Sequence, residues 1–532
     1  MDFLNGKTLA AKRTNGSLSE GQSLDRSGRR GIFFRGPVFR KFLSRVTALI
    51  ILLPFLIISF FNHPLGDDYW STDLVRRLGF WHAQVELYNT VPPRWLALGL
   101  SCLSPLSWGN FWGYKVIPVG FLLLFIAALA GLFRTLSGGR SGTYDGPGGS
   151  DNSGISPGAG NNPGISDSPG MTWRSCFGLA ILFTAVFLSA APGIGGGIYW
   201  VSALIVFGIG LLLFVCWINL LLIWYSGRRS GWVLAGICLC FLGMGGSNEI
   251  ITVVSLVVLA AMSICRRKID RLTVIQLILL GLCAGFFFSF KGGGNRYTLM
   301  HTVDSGKFWY SAGFSILVSG FCILKALTSP FCLAALIMAY DPFVRWRRTV
   351  YGAQRGLAKA VPYFVPAWLF ILFIIPFIVL YLSGLHPGYR VVNMVLFFQL
   401  MGLMYFGVRA TDGAGAVREA ETRTTSREAL ATWVRGAFAR LGRHRNIAVV
   451  VLLAAGFMVK NNVSIAIREL VSGSAYQYNR EMNQRYELIL QCKADSCVVP
   501  RLHHTSMTLR YDSTDLNDNH ISDYFQKEVI VR

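Results

Sequence analysis

The sequence has few charged residues for its length. Only 14% of its 532 residues are charged and only 27 are acidic, whereas 53% are hydrophobic. A soluble protein of this size carries more charge on its surface, so the composition excludes that class. The mean hydropathy of +0.47 and apolar runs of bilayer-crossing length instead predict an all-α polytopic membrane protein.

Three other features are missing from the sequence. The eight histidines show no metal-ligand spacing, so we predict no metal site from them. The glycine runs at 195–197 and 292–294 lack the strand–loop–helix setting of a nucleotide-binding loop. The first apolar run, 43–61, has no small-residue cleavage site, and we expect it to remain as a span rather than to act as a signal peptide.

The formal charge of +23 is a property that nucleic-acid-binding proteins share. Here, however, the basic residues are spread over short segments between apolar runs, which is the pattern of cytoplasmic loops in membrane proteins. We therefore expect a lipid bilayer as the partner, and no nucleic acid. The basic residues before the first run place the N-terminus in the cytoplasm.

The apolar runs divide the chain into three parts. Residues 1–42 form a basic tail that we expect to be disordered, and residues 43–460 form a transmembrane module, interrupted on the cytoplasmic side by a disordered Gly/Ser-rich insert at 136–171. An odd number of spans places residues 461–532 outside, where we expect one helix over 463–490 and a small α/β domain. Its predicted strands lie at 497–499, 507–509 and 529–531. About eleven spans are predicted: 43–61, 116–133, 173–191, 199–225, 231–246, 250–264, 272–290, 312–340, 361–383, 391–408 and 446–460.

Eleven cysteines are present, and nine of them lie in or beside apolar runs, where cysteine behaves as a small hydrophobic residue. Cys492 and Cys497 instead lie in a polar segment. They predict a disulfide in an oxidising compartment, with a pair of free thiols as the alternative. The disulfide agrees with an extracytoplasmic position for residues 461–532.

An acid pair, Asp67-Asp68, follows the first span within Gly66-Asp67-Asp68-Tyr69-Trp70. Two adjacent acids beside a bilayer are costly unless they face water, a cation or a substrate. The pair belongs to a first outer loop, 62–115, in which apolar residues at helical spacing predict an amphipathic helix on the membrane surface. We therefore interpret the pair as part of an active-site loop.

Four separate segments place polar side chains at the same predicted depth as the acid pair. A single cation at such a position is more often an interface anchor, but four segments together indicate a site. The candidate binding residues are Arg94, Asn248, Glu249, Lys291, Asn295, Arg296, His386, Tyr389 and Arg390.

Sugar transfer from a polyprenyl-phosphate donor requires this combination of groups. A carboxylate accepts the proton of the attacking hydroxyl, and cations bind the departing lipid phosphate. The lipid reaches the site from the bilayer, so a nucleotide-sugar domain is not needed.

The chain resembles the GT-C class of integral membrane glycosyltransferases, and within it a poorly characterised bacterial branch. The resemblance rests on the acid pair before Tyr69, on Ser247-Asn248-Glu249, on Gly294-Asn295-Arg296 and on the ending Asn519 to Phe525. It implies an inverting transfer at the bacterial inner membrane, to a cell-envelope acceptor. It also implies that Asp67 or Asp68 is the base, and we favour Asp68. Many family members with a separated Asp-x-Asp motif use a divalent metal, whereas the acids here are adjacent, so we predict no cofactor and keep a divalent metal as the alternative.

Three other functions are compatible with the composition. A transporter or flippase for lipid-linked saccharides needs polar residues at the middle of the bilayer and broken helices there. A non-catalytic assembly or sensor protein leaves the acid pair unexplained. A glycan ligase or oligosaccharyltransferase uses the same chemistry and differs in the size of its cavity.

Overall fold

The structure is a computed structural model, and it describes residues 37–92, 94–137, 171–289, 306–353, 361–384, 386–410, 446–504, 506–508 and 517–531. The predicted basic tail and the predicted insert lie almost entirely outside the described residues. The same holds for three of the candidate binding residues, Lys291, Asn295 and Arg296.

The first part of the chain is helical. Helix α1 is followed by a short 3-10 turn, Ser59–Phe61, and helix α2 begins at the acid pair. Gly79 has a φ of 75° and breaks α2 in its middle, because a left-handed residue cannot continue a right-handed helix. The helices of this part are α1 (Pro37–Ile58), α2 (Asp67–Thr90), α3 (Trp95–Cys102) and α4 (Gly113–Leu136).

The described residues of the central part form nine further helices. A π-helical turn, Gly195–Tyr199, precedes α6, which itself contains a π-helical stretch, Leu204–Gly208. The helices are α5 (Trp173–Ala190), α6 (Val201–Tyr225), α7 (Gly231–Ser247), α8 (Glu249–Arg266), α9 (Arg271–Ser289), α10 (Phe308–Thr328), α11 (Pro330–Ala353), α12 (Val361–Ser383) and α13 (Tyr389–Ala410).

The described residues contain seven helices that are long and apolar enough to cross a membrane, or eight if a pair bent by 64° forms one span. The chain is therefore a helical membrane protein, but the predicted count of about eleven spans is not confirmed. The described residues also contain five apolar helical stretches of 10–17 residues, some of them parts of longer helices or of a helix with its adjoining turn: Val46–Phe61, Trp95–Trp108, Gly231–Ser247, Arg271–Ala284 and Pro330–Tyr340.

The prediction of one span over 312–340 is wrong. Helix α10 ends at Thr328, Ser329 is extended with φ −68° and ψ 118°, and Pro330 begins α11. Proline disfavours the helical conformation of the residue before it, and its fixed φ suits the first position of a new helix. The chain therefore changes direction at Ser329.

The main core lies between α1, α4, α5, α6 and α13. Phe397 of α13 is fully buried at its centre, and the rings of Phe125, Phe183 and Phe187 surround it at centroid distances of 5.8–6.2 Å. Aromatic rings meeting edge to face fill the volume among these helices and fix their relative positions.

The C-terminal part contains helices and a two-stranded parallel sheet. The predicted helix over 463–490 is divided, because Gly473 has a φ of 74° and separates α15 from α16. Two of the three predicted strands are present, whereas Met507 and Thr508 form a turn. The elements are α14 (Asn446–Met458), α15 (Asn462–Val471), α16 (Ser474–Gln491), β1 (Ser496–Val499), α17 (Asn517–Phe525) and β2 (Glu528–Val531).

The C-terminal segment packs directly on the loop that carries the acid pair. A second apolar cluster combines Leu65, Tyr69 and Leu106 of that loop with Tyr486 of α16 and Tyr524 of α17. Among the described residues, the segment thus buries its apolar side chains together with the first loop rather than around a core of its own. A separate C-terminal domain is not confirmed.

Candidate active site

Asp68 is buried at the start of α2, and its carboxylate accepts three hydrogen bonds. Oδ2 accepts from the backbone N–H of Leu65 at 2.9 Å, and Oδ1 accepts from the N–H and the hydroxyl of Ser202 at 2.9 and 2.5 Å. Burial raises the pKa of Asp68 to about 7, although these donors act in the opposite direction. The carboxylate therefore ties the start of α2 to the first turn of α6.

Asp67 differs from its neighbour because its side chain is exposed. The surrounding protein raises the pKa of Asp67, while the charges of Arg390 and His520 lower it. Asp67 of α2 is therefore within electrostatic range of Arg390 of α13 and of His520 of α17. We call the group formed by Asp67, Trp200, Arg390 and His520 the Asp67 recess.

Arg390 lies in the first turn of α13, where the helix dipole disfavours a cation. Its guanidinium lies 4.1 Å from the ring centroid of Trp200, which directly follows the π-helical turn. Stacking on an aromatic face and the influence of the Asp67 carboxylate offset the dipole. The arrangement holds a positive charge beside the exposed acid.

Arg94, Asn248 and Glu249 form a second polar group. The Nε atom of Arg94 donates to Glu249 Oε2 at 3.0 Å and its Nη2 atom donates to Oε1 at 2.9 Å. Asn248 caps α8 by accepting the N–H of Ile250 at 2.8 Å, and its Nδ2 atom has no hydrogen-bond partner in the described part of the chain. The structure thus joins these three predicted site residues to one another.

The second polar group lies farther toward the C-terminal end of α6 than the Asp67 recess does. The Cβ atom of Asn248 would lie 3.7 Å from a Cβ added at Gly210, whereas Asp68 contacts Ser202 in the first turn of α6. At 1.5 Å per residue, these two points on α6 are roughly 12 Å apart. The predicted site residues therefore form two separate groups along one helix.

The remaining described candidates lie near the start of α13. His386 packs on Phe314 at 4.9 Å between ring centroids. Tyr389 is half exposed and lies so close to Gly193 that a Cβ there would be 2.5 Å from its own Cβ. This explains why glycine is needed beside Tyr389.

A chain of hydrogen bonds links the acid-pair loop to α4 and α16, and its direction is fixed. Lys115 can only donate, and its Nζ atom lies 2.7 Å from Asn479 Oδ1. That oxygen also accepts from His63 Nε2 at 3.1 Å, so His63 Nδ1 accepts from the hydroxyl of Tyr486, which in turn accepts from Tyr69 at 2.9 Å. Burial and the charge of Lys115 lower the pKa of His63 to about 3, so the ring is neutral.

Sequence reasoning did not identify Trp200, Ser202 or His520 as site residues. Trp200 and Ser202 lie within an apolar run and look like packing residues. His520 belongs to the C-terminal piece on which the family resemblance rests, but its spacing alone does not connect it to Asp67. Only the contact of α17 with α2 reveals that relation.

A disulfide joins Cys492 and Cys497 after α16. The amine of Lys527 donates to the carbonyls of Ile489 and Cys492, which fixes the end of α16 to the start of β2. Within the described ranges, no three His, Cys, Asp or Glu side chains come together as a metal-binding group.

Comparison with known proteins does not identify a relative. No protein-family model matches the chain, and no curated protein and no solved structure matches it. Any functional inference therefore depends on the contacts described above and on the residue patterns in the sequence.

Proposed function

We propose that the chain is a membrane glycosyltransferase of the GT-C type. It transfers a sugar from a polyprenyl-phosphate donor to a cell-envelope acceptor, with inversion. The observation that supports this proposal most directly is the exposed carboxylate of Asp67, which lies within electrostatic range of Arg390 and directly precedes the buried Asp68 that ties the start of α2 to Ser202. A base and a phosphate-binding cation are the two groups that the reaction needs.

The geometry favours Asp67 over Asp68 as the base, which reverses the preference drawn from the sequence. Both oxygens of Asp68 accept hydrogen bonds from the protein, and the side chain is buried. Asp67 follows the same turn but is exposed. Asp68 is then a positioning residue that holds the start of α2 against Ser202.

The proposed reaction is a single displacement. The acceptor oxygen forms a bond to the anomeric carbon while the bond from that carbon to the phosphate oxygen breaks, and its electron pair leaves with the polyprenyl phosphate. Asp67 takes the proton of the acceptor hydroxyl, a contribution of roughly 10²–10⁴-fold in rate. The guanidinium of Arg390 stabilises the charge that develops on the departing phosphate.

The second polar group has a separate role in this proposal. Arg94, Asn248 and Glu249 position hydroxyl groups of the sugar or of the acceptor, since amides and carboxylates suit such groups. Lys291, Asn295 and Arg296 are proposed phosphate-binding residues from outside the described part of the chain. His386 and Tyr389 line the approach at the start of α13.

The proposal includes an orientation in the membrane. The N-terminus is cytoplasmic, the C-terminal segment and the Asp67 recess are extracytoplasmic, and the protein resides in a bacterial inner membrane. The distribution of basic residues supports this orientation. Eleven spans follow if the bent pair forms one span and if Val46–Phe61, Gly231–Ser247 and Arg271–Ala284 also cross the bilayer.

Transfer assays in proteoliposomes test the proposal. The purified protein is offered a panel of polyprenyl-phosphate hexoses and pentoses, and the release of polyprenyl phosphate is measured. We expect Asp67→Asn to lower kcat at least roughly 100-fold, because the base is lost while the shape is kept. Asp73→Asn is the matched control, since Asp73 lies on the same helix and its carboxylate pairs with Arg77 at 2.5 Å. Full activity in both Asp67→Asn and Asp68→Asn contradicts the proposal.

One observation favours a transporter as the second candidate. Gln399 of α13 is fully buried, and neither its amide oxygen nor its nitrogen has a hydrogen-bond partner in the described structure. Polar residues inside the membrane often mark a transport path. Movement of a fluorescent lipid-linked saccharide across vesicles without any sugar transfer supports this alternative.

A further inference from the structure

Two ring nitrogens near Asp67 lack a hydrogen-bond partner within the described ranges. They are Nε1 of Trp200 and Nδ1 of His520, and both are shielded from solvent. A buried polar atom without a partner destabilises the folded state, and native structures contain few of them. Two such atoms beside one exposed carboxylate therefore need an explanation.

Trp200 is held in place from two sides. Its backbone N–H donates to the carbonyl of Gly195 at 2.9 Å, which closes the π-helical turn, and its ring supports the guanidinium of Arg390 at 4.1 Å. The indole N–H can only donate, and the guanidinium can only donate. The two side chains together present donors to a ligand that carries acceptor oxygens.

His520 is brought to the recess by the packing of α17 on α2. Arg76 donates from Nη2 to the hydroxyl of Tyr524 at 2.6 Å, and the rings of Tyr69 and Tyr524 lie 5.4 Å apart. Tyr524 is four residues after His520, so both lie on the same face of α17. His520 is near enough to influence Asp67 electrostatically.

We propose that Trp200 and His520 are ligand contacts, which donate hydrogen bonds to oxygens of a phosphate group seated between Asp67 and Arg390. Both residues are partly exposed, and the inference requires a rotation of each ring that presents its nitrogen to the ligand. Charge-assisted hydrogen bonds to phosphate are stronger than those to neutral oxygens. The inference deepens the proposed function, on which it rests, by naming two residues that bind the donor phosphate.

The test measures ligand binding rather than transfer. Polyprenyl phosphate is titrated into the full-length protein in nanodiscs, and inorganic phosphate is titrated separately. Trp200→Phe keeps an aromatic ring beneath Arg390 but has no N–H, and His520→Phe keeps a ring without a nitrogen. We expect each to weaken binding about tenfold, the effect of one lost charge-assisted hydrogen bond. Trp112→Phe, at an exposed site on the N-cap of α4, is the control and leaves binding unchanged.

Rescue separates ligand binding from packing. His520→Asn or His520→Gln retains a polar nitrogen, and at least one of them restores affinity to within about threefold of wild type if the hydrogen bond matters. Thermal unfolding of each variant confirms that it is folded. Tighter binding of the lipid than of inorganic phosphate identifies the lipid as the source of the phosphate, and equal binding identifies free phosphate.

These measurements distinguish a failure of this inference from a failure of the proposed function. Wild-type affinity in both Trp200→Phe and His520→Phe overturns the inference, while Asp67-dependent transfer still supports the proposed function. If the wild-type protein binds neither ligand and transfers no sugar, the proposed function fails and the inference fails with it.

Discussion

Arg94 and Glu249 are 155 positions apart, and their side chains form an ion pair in which Nε and Nη2 of Arg94 both donate to the Glu249 carboxylate. The pair joins the first loop to the start of α8. The side chains are 26% and 32% exposed, so solvent weakens the attraction. We predict a coupling energy on the order of 1 kcal/mol, measured by thermal unfolding of Arg94→Ala, Glu249→Ala and the double variant in micelles. Arg94→Lys loses most of this coupling energy, because an ammonium group cannot make both hydrogen bonds in the geometry of a guanidinium.

The matched control for this ion pair is another one. Arg266 and Asp270 are four residues apart, with one oxygen–nitrogen contact of 2.7 Å and partly exposed side chains. A pair of this kind couples by about 0.3–0.5 kcal/mol. A coupling between Arg94 and Glu249 no larger than that value shows that the two-pronged geometry adds nothing.

The raised pKa of Asp68 makes the stability of the protein depend on pH. The pKa of this carboxyl, ordinarily 3.8, is about 7 in the folded protein, so between these values the folded state binds a proton that the unfolded state has released. The free energy of unfolding therefore falls as the pH rises from about 4 to about 7, by on the order of 4 kcal/mol. Below about pH 4 both states are protonated, and the contribution is fully present.

Asp68→Asn removes this titration. The variant is less stable than the wild type at about pH 4, because its amide nitrogen replaces one carboxylate oxygen and meets the donor of either Leu65 or Ser202, but its stability curve should be flatter between about pH 4 and about pH 7. Chemical denaturation in micelles at several pH values gives both slopes. Parallel curves for the two proteins rule out a raised pKa for Asp68.

Tyr486→Phe tests the buried hydrogen-bond chain. The hydroxyl of Tyr486 donates to His63 and accepts from Tyr69, so one change breaks two hydrogen bonds and leaves His63 Nδ1 without a donor. We expect a loss of about 1–3 kcal/mol in the free energy of unfolding. Because the pKa of His63 is about 3, its ring stays neutral near neutral pH, and the loss should be the same at about pH 6 and about pH 8.

Tyr478 is the matched control for Tyr486. It is also buried on α16 and packs against the same histidine at 5.5 Å between ring centroids, but its hydroxyl makes no hydrogen bond within the part of the chain that the structure describes. Tyr478→Phe should cost less than about 0.5 kcal/mol, a typical limit for changes that remove no such feature. Equal losses in the two variants indicate that ring packing, rather than the hydrogen bonds, stabilises this region.

The sequence predicts the membrane class of the protein well, because apolar composition and run length report directly on burial in lipid. The sequence also predicts the break at Asn62, because the first apolar run ends at residue 61 and polar residues follow it. It does not predict the break at Ser329, since a proline inside an apolar run is also compatible with a bent continuous helix. The number of spans depends on such breaks.

The composition of the site was harder to predict. Charged residues at span ends are conspicuous, and the structure brings Arg94 together with Glu249. Ser202 and His520 are not conspicuous, because their relation to the acid pair depends on how α6 and α17 pack against α2. Such long-range packing leaves no periodic signal in a single sequence, and neither residue type is unusual at its position.

Gly195→Ala tests whether the π-helical turn controls the recess. A Cβ at Gly195 would overlap the carbonyl oxygen of Met507, which cannot move freely because the Met507 N–H donates to Glu469 at 2.8 Å. The turn itself must then shift, and it carries Trp200. We expect a loss of about 1–3 kcal/mol in stability, as for other overpacked sites, together with weaker binding of polyprenyl phosphate.

Gly120→Ala in α4 is the control for this change, because a Cβ there meets no atom within 4 Å. It should be neutral or stabilising by up to about 1 kcal/mol, since alanine favours the helical conformation more than glycine does. If Gly195→Ala melts at the wild-type temperature and binds the lipid normally, the turn does not position Trp200, and the recess must be held by α13 alone.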